Sequence, residues 1–247
     1  NAFQVVKREE FLFVASREGG TRIIDVTDPG APLLVGTISS QDRALSLEIK
    51  DNNLFIGDGF GGLLIVDIAE APSYSVIKRV ELPGVSCGIA FKGNYIFVSN
   101  YDEGISVLDT SEAENPRLVK TIQCSYPVWS LRVYGTNAIL IHPGYGIGVL
   151  DISEPENPVE RGGSEFPDGG ADGLAPFAVE MVGDYAFITN GTEGCLVLDV
   201  SSNGLGIIER LDTPGFAWGC HVFGDYLYVA NGDKGVRALE ISDYKIK

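Results

Sequence analysis

The sequence predicts an all-β protein, a six-bladed β-propeller with four antiparallel strands in each blade. Three observations carry that expectation. A short apolar run ends in an acidic residue six times, at Asp25 in RIIDV, Asp67 in LIVDI, Asp109 in SVLDT, Asp151 in GVLDI, Asp199 in LVLDV and Glu240 in RALEI. The steps between these landmarks are 42, 42, 42, 48 and 41 residues, so one unit of about 42 residues repeats along all 247 positions. The composition fits short strands and tight turns, with 31 Gly, 12 Pro, a single Met and 45% hydrophobic residues, since Gly supplies positive φ and Pro presets a negative one.

The third unit shows why each repeat needs four strands. Its pieces are GIAFKGN (88–94), YIFVSN (95–100), GISVLDT (104–110) and PRLVKTI (116–122). Each is rich in β-branched and aromatic residues and bounded by Gly, Asn, Asp or Pro. Links of a few residues favour a meander of antiparallel neighbours, and four such strands per unit make a propeller blade; a parallel β-helix coil is shorter, with fewer turns. Blades are expected at about 1–40, 41–83, 84–124, 125–165, 176–213 and 214–247 of a single domain, with strand A innermost and strand D outermost. The last strand D is expected over 243–247, and closure by face packing needs no strand exchanged between the termini.

Charge and composition exclude several classes of function. Lys plus Arg number 18 against 34 Asp plus Glu, and a net charge of −16 repels phosphate backbones and anionic lipid, so nucleic acid is not an expected partner. No apolar run approaches the ~20 residues of a membrane span. The start lacks a positively charged segment followed by an apolar one, and a chain opening at Asn1 reads as a processed form or an excised domain. Cys87, Cys124, Cys195 and Cys220 form no CxxC pair. A domain of this size does not need disulfides, so buried free thiols are expected, with three pairings open to two bridges. Asn190-Gly191-Thr192 is an N-glycosylation sequon.

The stretches VASREGGTRIIDVTDPGAP (14–32), IGDGFGGLLIVDI (56–68) and GIGVLDISEPENP (146–158) resemble the LVIVD repeat family, and the likeness extends to every unit. AEAPS in the second unit and SSNGLG in the fifth depart from its D-P-x-x-P turn. The resemblance implies a propeller of exported or surface-attached proteins: extracellular, periplasmic or held at the cell surface. It brings no catalytic motif. The repeated acid reads as structural, because its carboxylate can accept backbone N–H bonds from the turn that follows, and six copies spread over six blades do not converge on one substrate.

Candidate site residues are the departures from the repeat. Aligning strand A places Phe3, Leu45, Cys87, Trp129, Phe177 and Trp218 at one position near the channel mouth. Packing between blades explains apolar residues there, and an exposed aromatic rim stacking on a sugar or peptide is the alternative for Trp129 and Trp218. Three residues on, the equivalents are Val6, Glu48, Ala90, Arg132, Glu180 and His221, where four ionisable groups on inner strands form either a self-neutralising wet cluster or a ligand or acid/base site. At the start of the B-to-C loop, Ser16, Asp58, Asn100, His142, Asn190 and Asn231 align, with His142 the outlier and expected to be solvated. The single long step places an inserted loop at 162–176 over the channel mouth, read as a lid or partner contact, with Asp168 and Asp172 offering oxygens for a calcium ion although no EF-hand pattern surrounds them. No other cofactor is expected, and two His without HxxH exclude a three-histidine zinc site. GDGFGG (57–62) joins two strands and is a turn, not a phosphate loop.

The reading that follows is a rigid exported interaction module for a protein or glycan. The alternatives are a lyase or hydrolase using His221, Arg132 and Glu180, with His142 nearby, and a structural subunit of a surface assembly.

Overall fold

The structure is a computed structural model that describes residues 2–165, 177–200 and 206–244. These residues form the six blades of a β-propeller, each an antiparallel sheet of three or four strands. The chain divides into two compact units, Asn1–Trp129 and Ser130–Lys247.

The first unit holds three four-stranded blades. They are β1 (Gln4–Arg8), β2 (Phe11–Ala15), β3 (Thr21–Asp25) and β4 (Leu33–Ile38); β5 (Ser46–Lys50), β6 (Asn53–Gly57), β7 (Leu63–Asp67) and β8 (Ser75–Val80); and β9 (Gly88–Lys92), β10 (Tyr95–Ser99), β11 (Ile105–Asp109) and β12 (Arg117–Ile122). The second unit holds β13 (Ser130–Tyr134), β14 (Asn137–His142), β15 (Gly146–Asp151) and β16 (Val159–Glu165); β17 (Ala178–Val182), β18 (Tyr185–Thr189), β19 (Cys195–Asp199) and β20 (Gly206–Leu211); and β21 (Gly219–Phe223), β22 (Tyr226–Ala230) and β23 (Val236–Glu240). Within each unit the A strands of successive blades lie beside one another, which makes strand A the inner one.

Local chemistry sets these boundaries. Every A-to-B turn begins with a residue at positive φ: Glu9, Asp51, Gly93, Gly135, Gly183 and Gly224, between 51° and 58°. Glycine takes four of the six because a Cβ is disfavoured there. The turn before strand C ends on a stricter glycine, since a Cβ on Gly104 would stand 2.0 Å from the Ile122 carbonyl oxygen. Four of the six landmark acids are seen to do what the sequence assigns them. Oδ1 of Asp25, Asp67, Asp109 and Asp151 accepts the backbone N–H two residues on, at 2.8–2.9 Å. Bonds from Thr27 hold the Asp25 carboxyl below its ordinary pKa, and bonds from Ser111 and Ser153 do the same for Asp109 and Asp151.

Each sheet has two faces, called here forward (toward the next blade) and backward. In the first unit Phe13, Ala15 and Ile23 on the forward face of blade one pack on Leu54, Ile56, Leu64 and Val66 on the backward face of blade two. Phe55, Leu63 and Ile65 repeat this against Ile96, Val98 and Leu108. In the second unit Ile139, Ile141, Ile147 and Val149 pack on Ala186, Ile188, Leu196 and Leu198, and Phe187, Cys195 and Val197 pack on Leu227 and Val229. A buried side chain of this kind stabilises by about 1.5–3 kcal/mol, so these joints are the main cohesive element.

Three expectations change. Residues 162–165 belong to β16 and not to a loop, because Gly163 and its neighbours continue the ladder against β15; the rest of the expected insertion, 166–176 with Asp168 and Asp172, lies outside the described residues. Ser242–Tyr244 is a 3-10 turn rather than the start of a strand D, with the Tyr244 N–H bonded back to Ile241. The remainder of that expected strand, 245–247, lies outside the described residues, and the sixth blade shows three strands among those described. Finally, His142 is not solvated. It closes β14 opposite Gly146 and is 2% exposed.

All four cysteines are free thiols. Burial pushes Cys87 up to about 11 and Cys195 up to about 12, so both are protonated at neutral pH.

Candidate functional site

One end of the blades is built by a recurring clasp. The turn after strand B forms an isolated bridge to the segment that leads into the next strand A: Arg17 with Ala44, Gly59 with Ser86 and Tyr101 with Val128 in the first unit, and Gly191 with Ala217 in the second. The clasp precedes β5, β9, β13 and β21, and the N–H of the residue entering strand A bonds the end of strand B, as Trp218 does to the Ala230 oxygen at 2.9 Å. A side chain at the end of strand B reinforces it. The Ser99 hydroxyl donates to the Trp129 carbonyl and the Thr189 hydroxyl to the Trp218 carbonyl, both at 3.3 Å. The strand-A entry position predicted from the repeat is therefore a rigid shelf at this end.

The shelf carries different side chains in the two units. In the first, Leu45 and Cys87 are buried, Arg17 lies 4.3 Å over the Phe3 ring, and Trp129 meets Tyr101 edge-on at 6.1 Å. In the second, Phe177, Phe216 and Trp218 form a compact cluster with ring centroids 4.5–5.3 Å apart. Trp218 is nevertheless 52% exposed. Phe216, packed against it, also lies on Gly191, where a Cβ would come within 3.0 Å of the Phe216 ring. At one aligned position, then, Leu45 and Cys87 are buried and Trp218 is half-exposed. Phe216 was not singled out in the sequence, although its place in GFAWG, two residues before Trp218, was the available signal.

The ionisable inner-strand set is placed as the alignment predicts, opposite a large strand-B residue in every case: Glu48 opposite Phe55, Arg132 opposite Ile139, Glu180 opposite Phe187 and His221 opposite Tyr228. Glu48 belongs to the first unit and the other three to the second. Glu180 Oε1 and His221 Nδ1 are 3.7 Å apart, with the histidine side chain 76% exposed. A pair so open to water contributes about 0–1 kcal/mol. Glu180 and Arg132 also converge electrostatically on the Cys220 thiol: burial first, then the nearby Cys195 and Glu180, raise its pKa, while the Arg132 charge lowers it. Arg132, Glu180 and His221 thus lie along the adjacent inner strands of the second unit. Among the described residues no three His, Cys, Asp or Glu side chains are grouped to hold a metal.

The B-to-C loop position is structural in the blades where its bonds are visible. Asp58 is fully buried and accepts Gln41 N–H at 2.8 Å and Arg79 Nη1 at 2.6 Å. Asn100 donates to the Ser106 hydroxyl at 2.7 Å. His142 fills the space over Gly148, where a Cβ would lie 2.5 Å from its Nε2.

The LVIVD repeat matches residues 1–39, 43–80, 83–123, 178–205 and 214–244. The chain belongs to the LVIVD repeat family. The match passes over the fourth unit, whose β13–β16 sheet is a blade all the same. No curated protein sequence matches this LVIVD protein. Its fold is similar to the β-propeller domain of Myceliophteria thermophila Cps50 (Swd1), at a TM-score of 0.76 and 12% identity over 98% of this chain and 84% of that one. It is also similar to the computationally designed Ika8 protein, at 0.70 and 13% over 97% and 71%, and to a chain of the Nidogen/Laminin complex, at 0.63 and 14% over 95% and 90%. At these identities the likeness is one of fold. No helix among the described residues is long and apolar enough to cross a membrane.

Proposed function

We propose that this LVIVD propeller is an exported or cell-surface interaction module that takes a protein or glycan partner on the loop end of its second unit, with Trp218 as the anchor. A β-propeller built of such repeats is a fold suited to protein interaction. The observation that carries the finer reading is the Phe177–Phe216–Trp218 cluster, in which a half-exposed indole is braced by two rings. A large aromatic already held in place loses little conformational freedom on binding and stacks on a sugar face or an apolar peptide side chain. The exported location is supported by the family resemblance.

The test is a glycan array and a cell-surface extract pull-down with wild type and Trp218→Ala, followed by tryptophan fluorescence titration of any ligand recovered. With two Trp in the chain, the emission change is expected to vanish in Trp218→Ala and persist in Trp129→Phe. Equal binding by wild type and Trp218→Ala removes the anchor from this reading.

A further inference from the structure

In five of the six blades the second residue of the turn after strand B sits at positive φ: 52° at Arg17, 56° at Gly59, 55° at Tyr101, 59° at Gly191 and 55° at Gly232. Glycine suits this left-handed backbone and takes three of the five places. Arg17 and Tyr101 adopt it at a steric cost. The clasp does not require them, since Gly59 and Gly191 make the same bridge to the segment entering strand A. A residue held in a disfavoured conformation where glycine would serve points to a use for its side chain.

Both side chains meet the same aromatic pair. The Arg17 guanidinium lies 4.3 Å over the Phe3 ring, Phe3 is 6.5 Å from Trp129, and Tyr101 stands edge-on to Trp129 at 6.1 Å. All four residues belong to the first unit, and none is part of its buried core. The guanidinium in this series lacks a counter-charge. Arg43, Arg79, Arg117, Arg161 and Arg210 each pair with a carboxylate. Arg17 makes no ion pair and no side-chain hydrogen bond among the described residues, although the chain holds 34 Asp and Glu. Its Nε is shielded from solvent and meets no acceptor. Such an unanswered donor is costly, and an acceptor brought from outside relieves it.

We propose that Arg17, Phe3, Trp129 and Tyr101 form a subsite for a carboxylate-bearing sugar. The carboxylate takes the planar guanidinium fork, and the apolar face of the sugar ring lies on the indole or phenyl ring beside it. One guanidinium balances one carboxylate, whereas a phosphate dianion would keep an unmatched charge in a chain of net charge −16. The subsite shares no residue with the Phe177–Phe216–Trp218 cluster and does not rest on the reading of that cluster as an anchor.

Fluorescence titration of the whole chain in a Trp218→Phe background, where Trp129 is the sole indole, tests the proposal. The probes are galacturonate and glucuronate oligosaccharides, their neutral galactose and glucose counterparts, galactose phosphate, and a short peptide ending in aspartate. A saturable change in Trp129 emission is expected with an acidic oligosaccharide and not with its neutral counterpart, and it is expected to weaken in added salt. Arg17→Gly is expected to bind about tenfold more weakly or worse, yet to melt no lower than its parent, because glycine fits the φ of 52°. Arg17→Lys, which keeps the charge and loses the fork, is expected to fall between the two. Saturation-transfer NMR on the unsubstituted chain repeats the comparison without the background change. Equal response to the neutral sugars, response only to the phosphate or the peptide, or no response to any probe overturns the proposal. So does undiminished binding by Arg17→Gly, or a lowered melting temperature in that variant, which would assign the guanidinium to holding the Phe3 ring in place.

Discussion

Arg79 reaches across from β8 to place Nη1 2.6 Å from Oδ2 of Asp58, a carboxylate with no solvent exposure. The same carboxylate accepts the N–H groups of Gln41 and Asp42, so one buried charge ties a B-to-C turn to the connection entering its blade and to strand D.

Removing one member of such a set strands the other. Arg79→Ala is expected to lower stability by about 3 kcal/mol, the low end for a broken buried pair because the arginine is partly solvated. Asp58→Asn should cost less, since an amide oxygen can still accept the two backbone bonds. Chemical denaturation of the two variants checks the order, and equal losses would show that leaving the Asp58 carboxylate unpaired costs no more than neutralising it.

Gly148 is constrained by a side chain rather than by its backbone. A methyl there meets His142 Nε2 at 2.5 Å and Leu140 Cδ1 at 3.4 Å, and the buried imidazole has little room to retreat. Gly148→Ala is expected to cost about 1–3 kcal/mol by overpacking. Combined with His142→Ala, the loss should fall well below the sum of the two single losses, because the second change opens the space the first requires. Thermal melts of the three variants read this coupling directly.

The landmark acids make acid stability a local matter. For Asp25, Asp109 and Asp151 the folded carboxyl sits below the ordinary value of 3.8 because of the hydrogen bonds it accepts from the turn. A depressed folded pKa contributes stability above the unfolded value, and that contribution is lost as pH falls through the folded one. Asp109→Asn with Asp151→Asn is expected to leave a shallower decline in melting temperature as pH falls below the ordinary carboxyl value of 3.8 than wild type shows. An unchanged slope would mean these carboxylates are as free in the native chain as in the unfolded one.

Much of the scaffold was legible because its signals are local and repeated. The four pieces of the third unit coincide with β9–β12 within a residue or two at each boundary, and the alignment on the acids recovered true cross-strand equivalence for the inner-strand set. What stayed hidden depends on neighbours far along the chain. His142 read as a loop histidine because the glycine that makes room for it, Gly148, carries no pattern of its own. Trp218 and Leu45 share one aligned position, yet one is half-exposed and the other buried, since exposure is set by the side chains that crowd each shelf. The fate of 162–165 turned on whether glycines could continue a ladder, which they do against β15.

Every named strand pairs only with its immediate neighbours in sequence. A growing polypeptide therefore has the partners for each hairpin before the next is made. Contacts that close early and at short range favour fast, stepwise acquisition of structure from the N-terminus, one sheet serving as the template onto which the following one condenses. For this chain the order of synthesis is also the order of the strands within each described sheet.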